Sequence, residues 1–366
     1  MTAVVQIRFK ETNYPMMVGD ILLSSKYYRP DDLMVPTHDS SLAFPAEFKI
    51  TPCDLRQKLT VISDNLVVGW AGDAYPASEL IKKLQEENEQ EPFTLDSLNT
   101  YLSSMGPTVW QNNVALVGFV KEPNRFAWFG RNAEYVSTGI GEAGLLGTGT
   151  ESIKRYLKSI TISPVSSDRS GNLLTQHLLT TLSLTGGLLS YEIRSGSSLN
   201  QLFGAGYELA TVVDGVFKKI DDITYLFWYA RTDGNGVQIK FPHRSLKISY
   251  LNDILVIRVD SLKSLPNGTG ISTEKTMCFF VEPIYRSVDP DELIGFVPPS
   301  RNSRFVCNYF TFHDRQRRET VLAATESVGT GGPSDIKFIE DGWQTKHFAV
   351  RDGYLDEIAD RIKQQF

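Results

Sequence analysis

The chain has 366 residues, of which 41% are hydrophobic and 22% charged, and its formal net charge is −6 at pH 7. That length and balance fit a globular protein with one large core, or a core plus a smaller unit. The acidic balance argues against a general binder of nucleic acid or of an anionic membrane surface, and no apolar run approaches the roughly 18 residues of a membrane span.

Residues 3–9 (AVVQIRF) alternate as a strand does, and 16–24 (MMVGDILLS) form a second run. Residues 29–57 carry Pro30, Pro36, Pro45 and Pro52 without a clear period, which reads as a long irregular insertion. The stretch 58–71 (KLTVISDNLVVGWA) reads as a hairpin turning at Ser63-Asp64-Asn65, residue types that tolerate turn backbone angles. Helices follow. Over 77–89 Leu80, Ile81 and Leu84 form an apolar stripe under a charged face. The helix over 94–105 opens on an N-cap-like Thr94 and stops at Gly106-Pro107. Strands return at 113–120 and 125–131, joined by Glu122-Pro123-Asn124, and helical patterns cover 151–160 and 169–190. Residues 207–230 then read as three strands, the first two joined by a tight Asp214-Gly215 turn.

This order implies an α+β layered arrangement, with sheets packed face to face and helices outside. Beyond residue 231 short strand-like runs (SLKISY, DILVIRV, TMCFFVEPIY, RFVCNYFTF) alternate with polar loops, among them the glycine-rich 329–333. A last helix over 354–365 shows Leu355, Ile358 and Ile362 on one face. The expected organisation is a domain over 2–230 followed by a β-rich extension over 231–366 that ends in an amphipathic helix.

Cys53, Cys278 and Cys307 are scattered and odd in number, so no disulfide framework is implied. None of His38, His177, His243, His313 and His347 pairs with another His or Cys at metal-ligand spacing. No metal and no cofactor is therefore expected, and with no signal-peptide pattern the chain reads as cytoplasmic. The sequon Asn267-Gly268-Thr269 reads as a turn. Gly139–Gly144 spells G-x-G-x-x-G but opens no long helix within a parallel βαβ pattern, so nucleotide binding is not inferred. Arg315-Gln316-Arg317-Arg318 reads as a solvated basic cluster. The aromatic residues Phe279, Phe280, Tyr285, Phe296, Tyr309, Phe310 and Phe312 read as core, with a subunit interface as the sharper alternative.

Four segments carry a resemblance. They are Thr2-Ala3-Val4-Val5-Gln6-Ile7-Arg8; Val18-Gly19-Asp20; Lys58-Leu59 with Asp64-Asn65 and Gly69-Trp70-Ala71-Gly72; and Gly147-Thr148-Gly149. In this order they resemble the catalytic subunits of the proteasome and its bacterial two-component protease relative. Those are N-terminal nucleophile (Ntn) hydrolases of the threonine peptidase type. The resemblance covers about residues 2–230 and implies a four-layer αββα sandwich. It implies Thr2 as nucleophile, Asp20 and Lys58 as its electrostatic partners, the Gly72 N–H as oxyanion donor, and Thr148 as support for the N-terminus. Two departures stand out: the Asp20-to-Lys58 spacing is longer, and the family's Asp-x-x-Ser-Gly-Gly segment has as its nearest counterpart only Asn200–Gly206.

The chemistry accounts for these residue types. A hydroxyl is a poor nucleophile until a neighbouring base takes its proton. The α-amine of an N-terminal Thr, with an ordinary pKa of roughly 7.7–8.0, is such a base once Met1 is removed. A buried ammonium at Lys58 keeps that amine neutral and favours the developing alkoxide. The resemblance thus implies cleavage of peptide or other amide bonds through an acyl-enzyme on Thr2, in a homo-oligomer or ring, with or without an ATPase partner. The alternative expectation is a catalytically inactive relative acting as an assembly or binding module.

Overall fold

The structure is a computed structural model that describes residues 2–10, 14–30, 32–39, 41–42, 49–111, 114–159, 173–233, 236–265, 271–313, 319–327, 335–341 and 344–364. Met1, the sequon, the basic cluster 315–318 and the glycine-rich 329–333 lie outside the described residues.

The chain opens with β1 (Val4–Phe9), β2 (Pro15–Asp20) and β3 (Leu22–Ser25), followed by β4 (Thr51–Leu55), β5 (Leu59–Ser63) and β6 (Leu66–Ala71). Helices α1 (Ala74–Gln90), α2 (Leu95–Ser104) and α3 (Gly106–Gln111) come next. They lead into β7 (Ala115–Glu122), β8 (Arg125–Arg131), β9 (Glu134–Ser137) and β10 (Gly141–Leu146). Then follow α4 (Thr150–Ser159), α5 (Leu173–Ser195), α6 (Ser197–Asn200), β11 (Tyr207–Val213), β12 (Val216–Lys219) and β13 (Ile223–Asp233). The remainder holds β14 (Gly236–Ile239), β15 (Arg244–Leu251), β16 (Ile254–Ser264), β17 (Ile271–Val281) and β18 (Phe305–His313). It closes with β19 (Glu319–Ser327), β20 (Ile336–Asp341), β21 (Gln344–Val350) and α7 (Tyr354–Lys363).

The composition of elements is mixed α and β, as expected. Among the described residues the strands form a six-stranded sheet (β12-β11-β2-β1-β10-β9), a four-stranded sheet (β5-β6-β7-β8) and a seven-stranded sheet built on β17-β16-β15-β13-β18-β19. Strands β3 and β4 pair separately, as do β20 and β21.

Local chemistry sets many of the boundaries. Thr94 caps α2, its hydroxyl accepting from the Ser97 N–H at 3.2 Å. Asp214 and Gly215 both take positive φ, 54° and 81°, as the favoured two-residue hairpin turn requires. Three features differ from expectation. The run 16–24 breaks at Ile21: β2 ends at Asp20 in the six-stranded sheet, and β3 leaves to pair with β4. The insertion 29–57 is therefore not wholly irregular, because β4 lies inside it. The stop after α2 is only a break, since α3 begins at Gly106 (φ 67°) with Pro107 in its first turn, where a missing N–H costs nothing. Gly139–Gly144 runs into β10, a strand antiparallel to β1 rather than a helix start.

Alternation along β1 shows how the sheets pack. Val4 meets Leu59, Val67, Val117 and Phe119 between the six- and four-stranded sheets. The sheets approach closely there: a Cβ on Gly69 would lie 2.6 Å from Val4 Cγ1. Val5, Ile7 and Phe9 face the other way, into a core shared with Ile153 and Leu157 of α4 and Leu178 and Leu182 of α5. Leu80, Ile81 and Leu84 of α1 and Leu98 and Leu102 of α2 cover the outer face of the four-stranded sheet. Helix α5 also packs on β18 and β19, where the Tyr309 hydroxyl donates to the Leu182 carbonyl at 2.8 Å. Ile358 and Ile362 of α7 cover the far face of the seven-stranded sheet, against Trp228, Phe310 and Phe312. Tyr309, Phe310 and Phe312 are thus core residues, whereas Phe279, Phe280, Tyr285 and Phe296 are half-buried. Strand β13 crosses residue 230 and pairs with β15 and β18, so its whole length belongs to the C-terminal sheet. Among the described residues no helix is long and apolar enough to cross a membrane.

Candidate functional site

The first residues of the chain are held by backbone on two sides. The Asp20 N–H donates to the Ala3 carbonyl at 3.0 Å, and the Gly149 N–H reaches the Thr2 carbonyl at 3.3 Å. Gly147, at φ 89°, packs so closely on that carbonyl that a Cβ would lie 1.8 Å from it. Thr2 is wholly buried, and its Oγ1 has no hydrogen-bond partner among the described residues. It lines a cavity of about 1060 Å³ whose walls also include Gly72, Thr148, Cys53, Tyr27 and Tyr75. Gly72 (φ 104°) is the turn between β6 and α1, where a left-handed backbone favours glycine. Thr148 is exposed on the cavity wall, and it is the amide of its neighbour Gly149 that contacts the N-terminal segment.

Asp20 and Lys58 are both wholly buried. Asp20 ends β2 just before the Ile21 break, and both its oxygens are taken: Oδ1 accepts from the Ala3 N–H at 3.0 Å and Oδ2 from the Gly204 N–H at 2.9 Å. Burial pushes its pKa up to about 6, against the lowering effect of the Lys58 charge and of those two amides. Burial pushes Lys58 down to about 8, against the charges of Asp20 and Glu208. The Lys58 ammonium makes no hydrogen bond among the described residues and sits 4.4 Å from the centre of the Trp70 ring. Asp20 therefore acts on Lys58 through its charge and on the N-terminal backbone through its hydrogen bonds.

Two carboxylates complete the setting. Glu208 on β11 accepts from the backbone N–H groups of Lys58 and Leu59, the latter at 2.7 Å, and pairs with Lys219 at 2.8 Å. Glu192 on α5 is wholly buried and accepts from Ser198 Oγ at 2.7 Å, the Ala205 N–H at 2.8 Å and Thr37 Oγ1 at 2.5 Å. Burial pushes its pKa up to about 7 despite these donors, and the Asp20 charge adds to the rise. Neither residue was picked out from sequence. The available signal was a single acid in an apolar context, within YELATVV for Glu208 and LLSYEIRS for Glu192. The C-terminal strands reach the site through Gln57, whose Nε2 donates to the carbonyls of Asp253 and Val281, both at 2.7 Å.

Of the five residues singled out, the structure brings Thr2, Gly72 and Thr148 onto one cavity, whereas Asp20 and Lys58 are wholly buried, Asp20 being bonded to the Ala3 amide next to Thr2. Among the described residues no group of three or more His, Cys, Asp or Glu is arranged to hold a metal ion. The arrangement offers a hydroxyl and a glycine turn on one cavity together with a buried cation, groups of the kind that acyl transfer uses. No family model and no curated protein matches this chain.

Proposed function

We propose that this chain is a cytoplasmic threonine-type Ntn hydrolase, built as a four-layer αββα sandwich with a C-terminal β-rich extension. It cleaves peptide or other amide bonds through an acyl-enzyme on Thr2. One observation carries the reading: Thr2 lines a large cavity and its buried Oγ1 has no hydrogen-bond partner among the described residues, nor has the equally buried Lys58 ammonium, which feels the charge of Asp20. Leaving a buried polar group unsatisfied costs about 1–3 kcal/mol, and such costs gather at functional sites. The stacking of helices, two sheets and helices around Val4 and Val5 supports the fold.

In this mechanism the α-amine of Thr2, freed by loss of Met1, takes the hydroxyl proton as Oγ1 attacks the carbonyl carbon. Lys58, kept charged by Asp20, stabilises the alkoxide and holds the amine neutral. The Gly72 N–H donates to the oxyanion of the tetrahedral intermediate. The amine then returns the proton to the leaving nitrogen, and water attacks the resulting ester to free Thr2. Assembly into a homo-oligomer or ring, with or without an ATPase partner, is part of the same proposal. The test is the intact mass of untagged protein together with turnover of a peptide panel. Loss of Met1 and turnover abolished by Thr2→Ala are expected. Quantitative retention of Met1 in the native host would sink the mechanism.

A second reading, a non-catalytic assembly or binding module, is favoured by one feature. The turn Leu202–Gly206 faces Asp20 with a backbone amide and carries neither an acid nor a hydroxyl. Absence of turnover with Met1 removed would select it.

A further inference from the structure

The turn Leu202–Gly206 has an unusual backbone: Leu202, Gly204, Ala205 and Gly206 all take positive φ, at 63°, 109°, 68° and 151°. Two of these are residues with side chains, for which the left-handed region is unfavourable. Something outside the turn must hold it. The turn matters because its Gly204 N–H is one of the two amides gripping Asp20, the other being that of Ala3, next to Thr2.

The group that holds it is Glu192. Its Oε1 accepts from the Ala205 N–H at 2.8 Å, and its carboxylate lies so near Gly204 that a Cβ there would meet Oε2 at 1.8 Å. Ser198 and Thr37 donate to the same carboxylate, so both oxygens are engaged and the side chain has one orientation. Thr37 belongs to the segment 32–39, which is itself pinned from the C-terminal sheet. Arg244 on β15 is buried and donates to the Pro36 carbonyl at 2.7 Å and to Asp39 Oδ1 at 2.9 Å. A line of hydrogen bonds thus runs from Arg244 through 36–39, Glu192, the 204–205 turn and Asp20 to Ala3.

We propose that Glu192 is a positioning residue of the candidate site, fixing Asp20 through the Gly204–Ala205 turn and tying it to the C-terminal sheet through Thr37 and Arg244. Only the kinetic arm of its test rests on the hydrolase reading. Glu192 touches no reacting atom in this role. It sets where the Asp20 carboxylate stands relative to Lys58 and to the N-terminal backbone. Loss of the carboxylate releases the strained turn, and with it the Gly204 grip on Asp20.

The test compares wild type with Glu192→Leu, Glu192→Gln and Thr37→Val in the full chain. Glutamine keeps an acceptor oxygen toward Ala205 and Thr37, and its amide faces Ser198 Oγ, which accepts as well as donates. Hydrogen exchange of the Ala3 and Gly204 amides is read first, because it needs no substrate. At least tenfold faster exchange is expected in Glu192→Leu, about threefold in Thr37→Val, and little change in Glu192→Gln. Turnover of a peptide substrate is then expected to show kcat at least tenfold lower in Glu192→Leu with KM within twofold, and kcat within threefold in Glu192→Gln. Wild-type exchange rates at both amides in Glu192→Leu, or in Thr37→Val should the leucine variant not fold, overturn the proposal. Faster exchange in a protein whose wild type turns over nothing leaves Glu192 in its place and removes the hydrolase reading instead.

Discussion

Thr2, Lys58 and Asp20 each bring a polar side chain to zero exposure. Two of them have no hydrogen-bond partner among the described residues. Folding gains nothing from that arrangement, whereas a nucleophile benefits from a hydroxyl that is not already committed. On the proposed mechanism Asp20 must be ionised and Lys58 protonated. Since the Thr2 α-amine must also be neutral, a bell-shaped dependence of kcat/KM on pH is expected, its rising limb at or above about pH 6 and its falling limb near pH 8. A profile flat from pH 5 to 9 would contradict these roles. Stability gives a second prediction. The folded pKa of Asp20, about 6, lies above its ordinary 3.8, so its contribution is fully present below 3.8 and is lost as pH rises through 6. Comparing chemical denaturation of wild type and Asp20→Asn should show the wild-type advantage shrinking by on the order of 2–3 kcal/mol over that window. Lys58 has the opposite window: its contribution is present above 10.5 and is lost as pH falls through about 8.

Elements place these groups through close backbone approach. A Cβ on Gly186 of α5 would fall 2.1 Å from the Tyr309 ring. Alanine improves helix propensity by about 0.5–1 kcal/mol, but overpacking costs about 1–3 kcal/mol, so Gly186→Ala is expected to destabilise. A raised thermal midpoint would show that α5 and β18 have room to part. Gly147→Ala combines a positive φ with a clash on the Thr2 carbonyl, and a loss of about 1–3 kcal/mol together with reduced turnover is expected. Local signals were legible at this scale. The hairpin 58–71, the Thr94 cap and the Asp214-Gly215 turn depend on neighbours within a few residues, and the structure has all three. Long-range pairings were not legible. The switch of sheets at Ile21 depends on β4 and on Gly204, and Pro52 sits in β4 where Ser24 pairs beside a register shift. Thr2, Gly72 and Thr148 were named from short motifs, whereas Glu208 and Glu192 act on backbone amides that only the folded chain brings near them.

The whole molecule is bound together by α5, which serves the six-stranded and the seven-stranded sheets at once. Gln57, directly before Lys58, is bonded by backbone to Glu282 at 3.0 Å and by side chain to Asp253 and Val281. The C-terminal strands are thus part of the packing around the candidate site. A chain ending at residue 222 removes β18 and β19, against which α5 packs at Ser183 and Gly186, and returns apolar surface to water at about 1.5–3 kcal/mol for each large side chain uncovered. Such a truncation is expected to aggregate or lack cooperative unfolding. A monomeric truncation with a sharp thermal transition would show that 2–222 folds alone.

The most direct measurement is mass spectrometry of the full-length protein after incubation with an electrophilic β-lactone, followed by peptide mapping. An acyl adduct on Thr2, absent from Thr2→Ala and formed on protein that has lost Met1, is expected. An unmodified Thr2 on protein lacking Met1, or an adduct confined to Cys53 on the same cavity wall, would contradict the assignment of Thr2 as the nucleophile.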